Sequence, residues 1–168
     1  MPVTRSWKLE WRIAGDPDAF FRWWTAPENR RSYREQVRED KLRDFAWDER
    51  LEADRREVVS SWASSNGVKT GWQITERFDA SRRVSWIDSI INSVEPRGGE
   101  RLICDSVTTS VQEASTGILL QVDAVLRYEG LRALETFARP YIHKRKVKRR
   151  YREKLDQWAT QLGNGDHV

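Results

Sequence analysis

GLRALETFARPYIHKRKVKRRYREKLDQWATQL, Gly130 to Leu162, is the one long stretch without a turn signature, and its reading decides the fold. Leu131, Leu134, Ala138, Tyr141, Ile142, Arg145, Lys148, Tyr151, Leu155, Trp158, Ala159 and Leu162 recur at three- and four-residue steps. That spacing lines side chains along one side of a helix. The stripe is apolar at both ends and carries Arg145 and Lys148 in its middle. Pro140 predicts a kink, or a short helix Leu131 to Ala138 followed by a longer one from Arg139, because proline removes a backbone hydrogen bond and clashes with the preceding turn. A long helix must bury its apolar stripe, and the rest of the chain offers a curved sheet to receive it.

That sheet is legible on both sides of a helical interlude. Trp7, Leu9, Trp11 and Ile13 alternate with Ser6, Lys8, Glu10 and Arg12, the pattern of a half-buried antiparallel strand over Val3 to Ile13. Asp16-Pro17-Asp18 then gives an N-cap, a first-turn proline and an acidic residue at the positive end of a helix dipole. Phe20, Phe21, Trp23 and Trp24 follow, and Thr25-Ala26-Pro27 ends this short helix. A second short helix or turn is expected from Glu28 to Arg38, with Tyr33 and Val37 as its few apolar residues. Strands are expected over Arg43 to Leu51, Glu57 to Ser64, Val68 to Phe78, Val84 to Val94, Arg101 to Glu113 and Ile118 to Tyr128. The separators are too short for crossovers, so the sheet is an antiparallel meander. Asn66-Gly67 reads as a two-residue hairpin turn with positive φ at both positions.

The chain's 168 residues suffice for one proper core. Thirty basic residues against 26 acidic ones give a net charge of +4, a mixed surface rather than a uniform positive field. With Cys104 alone, no intramolecular disulfide and no thiolate metal cluster can form, which fits a reducing cytoplasm. Met1 to Glu10 lacks the apolar run of a signal peptide, and no window is long and apolar enough to span a membrane. His143 and His167 are the only histidines, so no metal site is expected, and no glycine-rich phosphate loop or nucleophile triad stands out.

The order of elements resembles the START-like superfamily, which takes in polyketide cyclases/dehydrases, lipid-transport domains and plant allergen-type proteins. The resemblance rests on Asp16-Pro17 opening a short apolar helix, on Trp24-Thr25-Ala26-Pro27-Glu28-Asn29 at the break between two short helices, and on Gly130 ahead of the amphipathic terminal helix. It implies a helix-grip fold of the α+β class. A curved antiparallel sheet of six to seven strands would wrap around the C-terminal helix, with two short helices after the first strand. The domain would cover 1–162, leaving 163–168 as a frayed tail. The resemblance also implies that a cavity between sheet and helix is the functional site, with no cofactor.

Strand alternation nominates the cavity walls. Trp47 and Trp62 are plausible inward residues on the earlier strands. Val68, Trp72, Ile74 and Phe78 share a face, as do Val84, Trp86, Asp88 and Ile90, and as do Ile118, Leu120, Val122, Ala124 and Leu126. Candidate ligand contacts are therefore Trp47, Trp62, Trp72, Trp86, Ile90 and Leu120, with Tyr141 and Arg145 from the helix; core packing explains the same rows without a ligand. Asp88, Tyr141 and Lys148 are the candidate catalytic groups, Asp88 because a buried carboxylate must be paired, hydrogen-bonded or protonated. An Asp88–Lys148 or Asp88–Arg145 pair across the cavity is one reading. In the other, Ile87, Ser89 and Ile91 face inward and Asp88 faces water, while Arg145 and Lys148 lay their stems along the sheet edge. The basic run His143 to Arg152 spreads around the helix and reads as a solvated face before it reads as a nucleic-acid surface. The leading expectation is a binder of a hydrophobic or aromatic small molecule, lipid- or polyketide-like, whose anionic group Arg145 could meet. The alternatives are a cyclase/dehydratase-type enzyme on the same scaffold and a protein or RNA interaction module using the basic helix.

Overall fold

The structure is a computed structural model describing residues 2–30 and 39–165. Seven strands form one antiparallel sheet: β1 (Val3–Ile13), β2 (Arg43–Leu51), β3 (Arg55–Ala63), β4 (Lys69–Asp79), β5 (Val84–Val94), β6 (Glu100–Ala114) and β7 (Gly117–Glu129). The spatial order is β1-β7-β6-β5-β4-β3-β2, so the first strand returns to pair with the last. A short helix, α1 (Pro17–Thr25), follows β1, and one long helix, α2 (Ala133–Gly165), ends the described chain. This is the helix-grip arrangement. The expected second short helix lies mostly outside the described residues; its start is a 3-10 turn at Pro27–Asn29.

Local chemistry explains the joints. The Ala19 N–H donates to Asp16 Oδ1 at 2.7 Å, capping α1, and Phe20 and Phe21 on its inner side are buried. The turn between β3 and β4 is longer than the two-residue type expected. The Ser64 N–H donates to the Val68 carbonyl at 2.9 Å, and only Gly67 (φ 83°), not Asn66, has positive φ. That geometry belongs to a three-residue loop with a left-handed glycine in third place. Gly130 (φ 71°) turns the chain from β7 into α2, where any Cβ would collide with the Glu100 carbonyl oxygen.

Pro140 lies inside α2 and does not divide it. Without an N–H, proline leaves the carbonyl four residues earlier unpaired. That carbonyl belongs to Thr136, and the Tyr128 hydroxyl donates to it at 2.8 Å. The sheet thus supplies the hydrogen bond that the helix lacks.

The core sits under the C-terminal half of α2. Val147, Tyr151, Leu155 and Trp158 pack on Ile118, Leu120, Val122 and Ala124 of β7, Val107 and Val111 of β6, and Phe20 and Phe21 of α1. Trp158 meets Phe20 edge-on with ring centroids 5.3 Å apart, and its indole N–H donates to the Ala14 carbonyl at 3.0 Å. Trp7, Leu9, Trp11 and Ile13 close this side from β1. The helix stripe differs from the expected one. Arg145 and Lys148 are exposed, and the inward residues are His143, Val147, Tyr151, Leu155 and Trp158. Two three-residue intervals back from Tyr151 turn the helix by about 120°, off the buried face, whereas four-residue steps stay close to it.

Candidate functional site

Beyond the packed half, the inner face of β4 to β6 is only partly covered by α2. A cavity of about 250 Å³ lies between them. Register decides which side chains reach it. Trp72 pairs with Ile91, Ile74 with Ser89, Glu76 with Ile87 and Phe78 with Ser85 across β4 and β5. Directly paired residues share a face, so Ser85, Ile87, Ser89 and Ile91 face the cavity together with Trp72, Glu76 and Phe78. Ile103, Asp105 and Val107 continue this wall on β6.

The helix side is cationic. Arg139, His143, Lys146, Arg150 and Lys154 recur at three- and four-residue steps and all line the cavity. Arg30 closes one end. Its guanidinium donates from Nε to the Thr25 carbonyl at 2.7 Å and from Nη2 to the Ala53 carbonyl at 3.0 Å, and it lies 4.5 Å over the Phe78 ring. Lys154 donates to the Asn29 carbonyl and lies 4.9 Å from the Trp24 ring. Burial holds its amine below the usual lysine range, while the Glu76 carboxylate pulls the other way. Glu76 itself is buried, as is Arg56, whose Nε donates to Glu49 at 2.6 Å. Arg30, Arg139, Lys146, Arg150 and Lys154 outnumber Glu76 and Asp105 around the cavity.

Two further polar groups are fixed in the wall. The Tyr151 hydroxyl bonds the Thr109 hydroxyl, and burial pushes its pKa up to about 12, so it remains a neutral phenol at ordinary pH. His143 Nε2 lies 2.7 Å from Asp105 Oδ2, and the Trp7 ring meets the imidazole edge-on at 5.1 Å. His143 Nδ1 and Asp105 Oδ1 are buried, without a hydrogen-bond partner among the described residues. Among the described residues, no group of three His, Cys, Asp or Glu side chains could hold a metal.

The nominated residues divide sharply. Trp72 lines the cavity, its indole N–H donating to Ser89 Oγ at 2.8 Å, and Trp62 stands edge-on beside it at 6.4 Å. Trp47 packs one strand further out against Val58 and Ile74. Leu120 is fully buried in the core beneath α2. Trp86, Asp88 and Ile90 face the other way, on the convex side. Asp88 accepts from Ser106 Oγ at 2.6 Å and pairs with Arg77 at 3.5 Å, with its side chain 43% exposed, and Arg77 lies 5.6 Å from the Trp86 ring. Tyr141, Arg145 and Lys148 lie exposed on the outer side of α2. The expected Asp88–Lys148 pair therefore does not form, since the two groups sit on opposite outer surfaces. Both faces of β5 are apolar, so alternation alone could not choose between them; register does. The cavity's own His143, Arg150 and Lys154 were missed. Counting back from Trp158 in four-residue steps to 154, 150 and 146 would have found two of them.

No protein-family model and no curated protein matches the chain. Solved structures similar to it include the Mll3558 protein from Rhizobium loti, at 12% identity and TM-score 0.46, covering 84% of this chain and 92% of that one. Another is TTHA0849 from Thermus thermophilus, at 15% identity and TM-score 0.45, covering 83% and 85%. A third is norcoclaurine synthase from Thalictrum flavum in complex with dopamine and hydroxybenzaldehyde, at 11% identity and TM-score 0.41, covering 83% and 78%. Likeness of this degree decides no activity; strand order and helix placement carry the architecture.

Proposed function

We propose that this protein binds an aromatic or otherwise apolar small molecule bearing an anionic group, held between α2 and strands β4 to β6. The observation that carries the reading is the two-sided lining of the cavity. The sheet contributes Trp72, Phe78, Ile87, Ile91 and Ile103, and the helix contributes Arg139, Lys146, Arg150 and Lys154. A flat apolar body would bury area against the sheet, and its charge would relieve repulsion among the helix cations. Ligand pockets are mostly apolar with a few convergent polar groups, which is the pattern here. The lone Cys104 agrees with work in a reducing cytoplasm.

A cyclase or dehydratase on the same scaffold needs a group that moves a proton inside the cavity. Asp88, Tyr141 and Lys148 face away from it and Tyr151 holds its proton, which leaves Glu76, Lys154 and the His143–Asp105 pair as the groups such an enzyme would have to use. Binding is the better reading because the two-sided lining alone accounts for it, without assigning a reaction to those groups. It is tested by titrating the protein with 2-naphthalenesulfonate and with uncharged 2-methylnaphthalene, following tryptophan emission. The sulfonate is expected to saturate one site and to bind at least about tenfold tighter, a difference of about 1.4 kcal/mol. Arg150→Ala should erase most of that preference. Equal affinity for the two probes, or no saturable binding of either, would refute the proposal.

A further inference from the structure

The outer face of α2 carries a feature that the cavity does not use. Leu134, Phe137 and Tyr141 are 85%, 84% and 69% exposed, far more than large apolar side chains usually are. They continue into Arg145, Lys148 and Arg152, all exposed. At 100° per residue these six positions lie along one line of the helix, about 27 Å long. One half of the line is apolar and the other is basic. Lys144 and Arg149 flank the basic half. Between Ala133 and Arg152 the only acidic residue is Glu135, and it is engaged by Arg101 and by the Arg132 N–H.

We infer that this face docks on an anionic lipid surface. A helix with large apolar side chains beside a cluster of lysine and arginine suits the headgroup boundary. Leucine and phenylalanine enter the acyl region, tyrosine sits at headgroup level and the cations meet lipid phosphates and carboxylates. A nucleic acid would satisfy the basic half and leave Leu134 and Phe137 in water. A protein partner would need a cleft shaped to three protruding side chains, whereas a fluid interface needs none. The cavity-lining Arg139, His143, Lys146 and Arg150 leave the helix on the opposite side, so docking through this line would leave the cavity wall uncovered.

The test is co-sedimentation of the full chain with vesicles of phosphatidylcholine alone and of phosphatidylcholine with about a third phosphatidylserine. Binding is expected to the second kind, at least about tenfold tighter than to the first, and to fall as salt is added. Phe137→Ser and the charge-reversal pair Arg145→Glu with Lys148→Glu should each weaken it about tenfold or more. Both should leave the circular dichroism and the naphthalenesulfonate titration unchanged, because all three side chains are exposed and outside the cavity. Binding to neither vesicle, or equally to both, would overturn the inference. So would tight binding of duplex RNA that Phe137→Ser leaves intact, or a concentration-dependent dimer that Phe137→Ser abolishes in a protein that ignores vesicles.

Discussion

The two halves of the concave sheet face are built from the same alternation and end in different states. Under α2, the row Ile118, Leu120, Val122, Ala124, Leu126 and Tyr128 of β7 is buried throughout, each residue at most 1% exposed. On β5 the equivalent row reads Ser85, Ile87, Ser89 and Ile91. The first row is closed by the helix and α1; the second faces a cavity and is spotted with polar groups. A core needs apolar residues on both partners, whereas a binding wall needs apolar area with a few hydrogen-bonding groups. One helix, packed against one half and standing off the other, makes both from a single sheet.

If the closed half holds the molecule together, breaking it should cost most. Deleting Tyr141 to Leu162 removes the helix residues of the core and should abolish cooperative urea unfolding; a truncated chain that still unfolds cooperatively would contradict this. Phe20→Ala, at a fully buried position between α1 and Trp158, should cost about 3–5 kcal/mol in the same measurement. Ile87→Ala in the cavity wall should cost clearly less, because that side chain is only partly buried and already borders a cavity. Comparable losses at the two positions would mean that the halves are not distinct.

Tyr151 sits at the boundary and sharpens the comparison with pH. Its folded pKa, raised by burial to about 12, lies above its ordinary value of 10.0. Between those values the unfolded chain loses the phenolic proton first, so stability should fall as pH rises from 10 to about 12, and be fully present below 10. Two pKa units correspond to about 3 kcal/mol. Tyr151→Phe should flatten that part of the stability profile, while at neutral pH it leaves the buried Thr109 hydroxyl without its partner and costs about 1–3 kcal/mol. An unchanged alkaline slope in Tyr151→Phe would show that the phenol ionises freely in the folded protein.

The smallest effects belong to the outer surfaces. Asp88→Ala and Lys148→Ala should each shift stability by less than about 1 kcal/mol, since Asp88 shares an exposed ion pair with Arg77 and Lys148 is exposed. A loss several times larger would bring Asp88 back as a buried group.

What could be read in the sequence follows the same division. The half with one apolar and one polar face per strand was legible: β1, β7 and the Asp16 cap of α1 lie as their periodicity predicts. Where both faces are apolar, as in Trp86 and Ile90 against Ile87 and Ile91, period-two reasoning has nothing to distinguish, and hydrogen-bond register settles the face. The helix misled for a related reason. Leu134, Phe137 and Tyr141 form an apolar stripe on the outside, so following the nearest apolar spacing led from Tyr151 through Lys148 and Arg145 to the exposed side. The cationic wall was hidden in a run of basic residues whose charges differ only by the angle at which they leave the helix.

The account stands most directly on where a ligand lands. In a nitrogen-15 and methyl-labelled sample titrated with 2-naphthalenesulfonate, resonances of Trp72, Ser89, Ile87 and Arg150 should shift in saturable fashion, while those of Leu120, Val122 and Ala124 in the closed half and of Trp86 and Asp88 on the convex face stay put. Shifts centred on the convex face or spread through the closed half would contradict a site between the helix and strands β4 to β6.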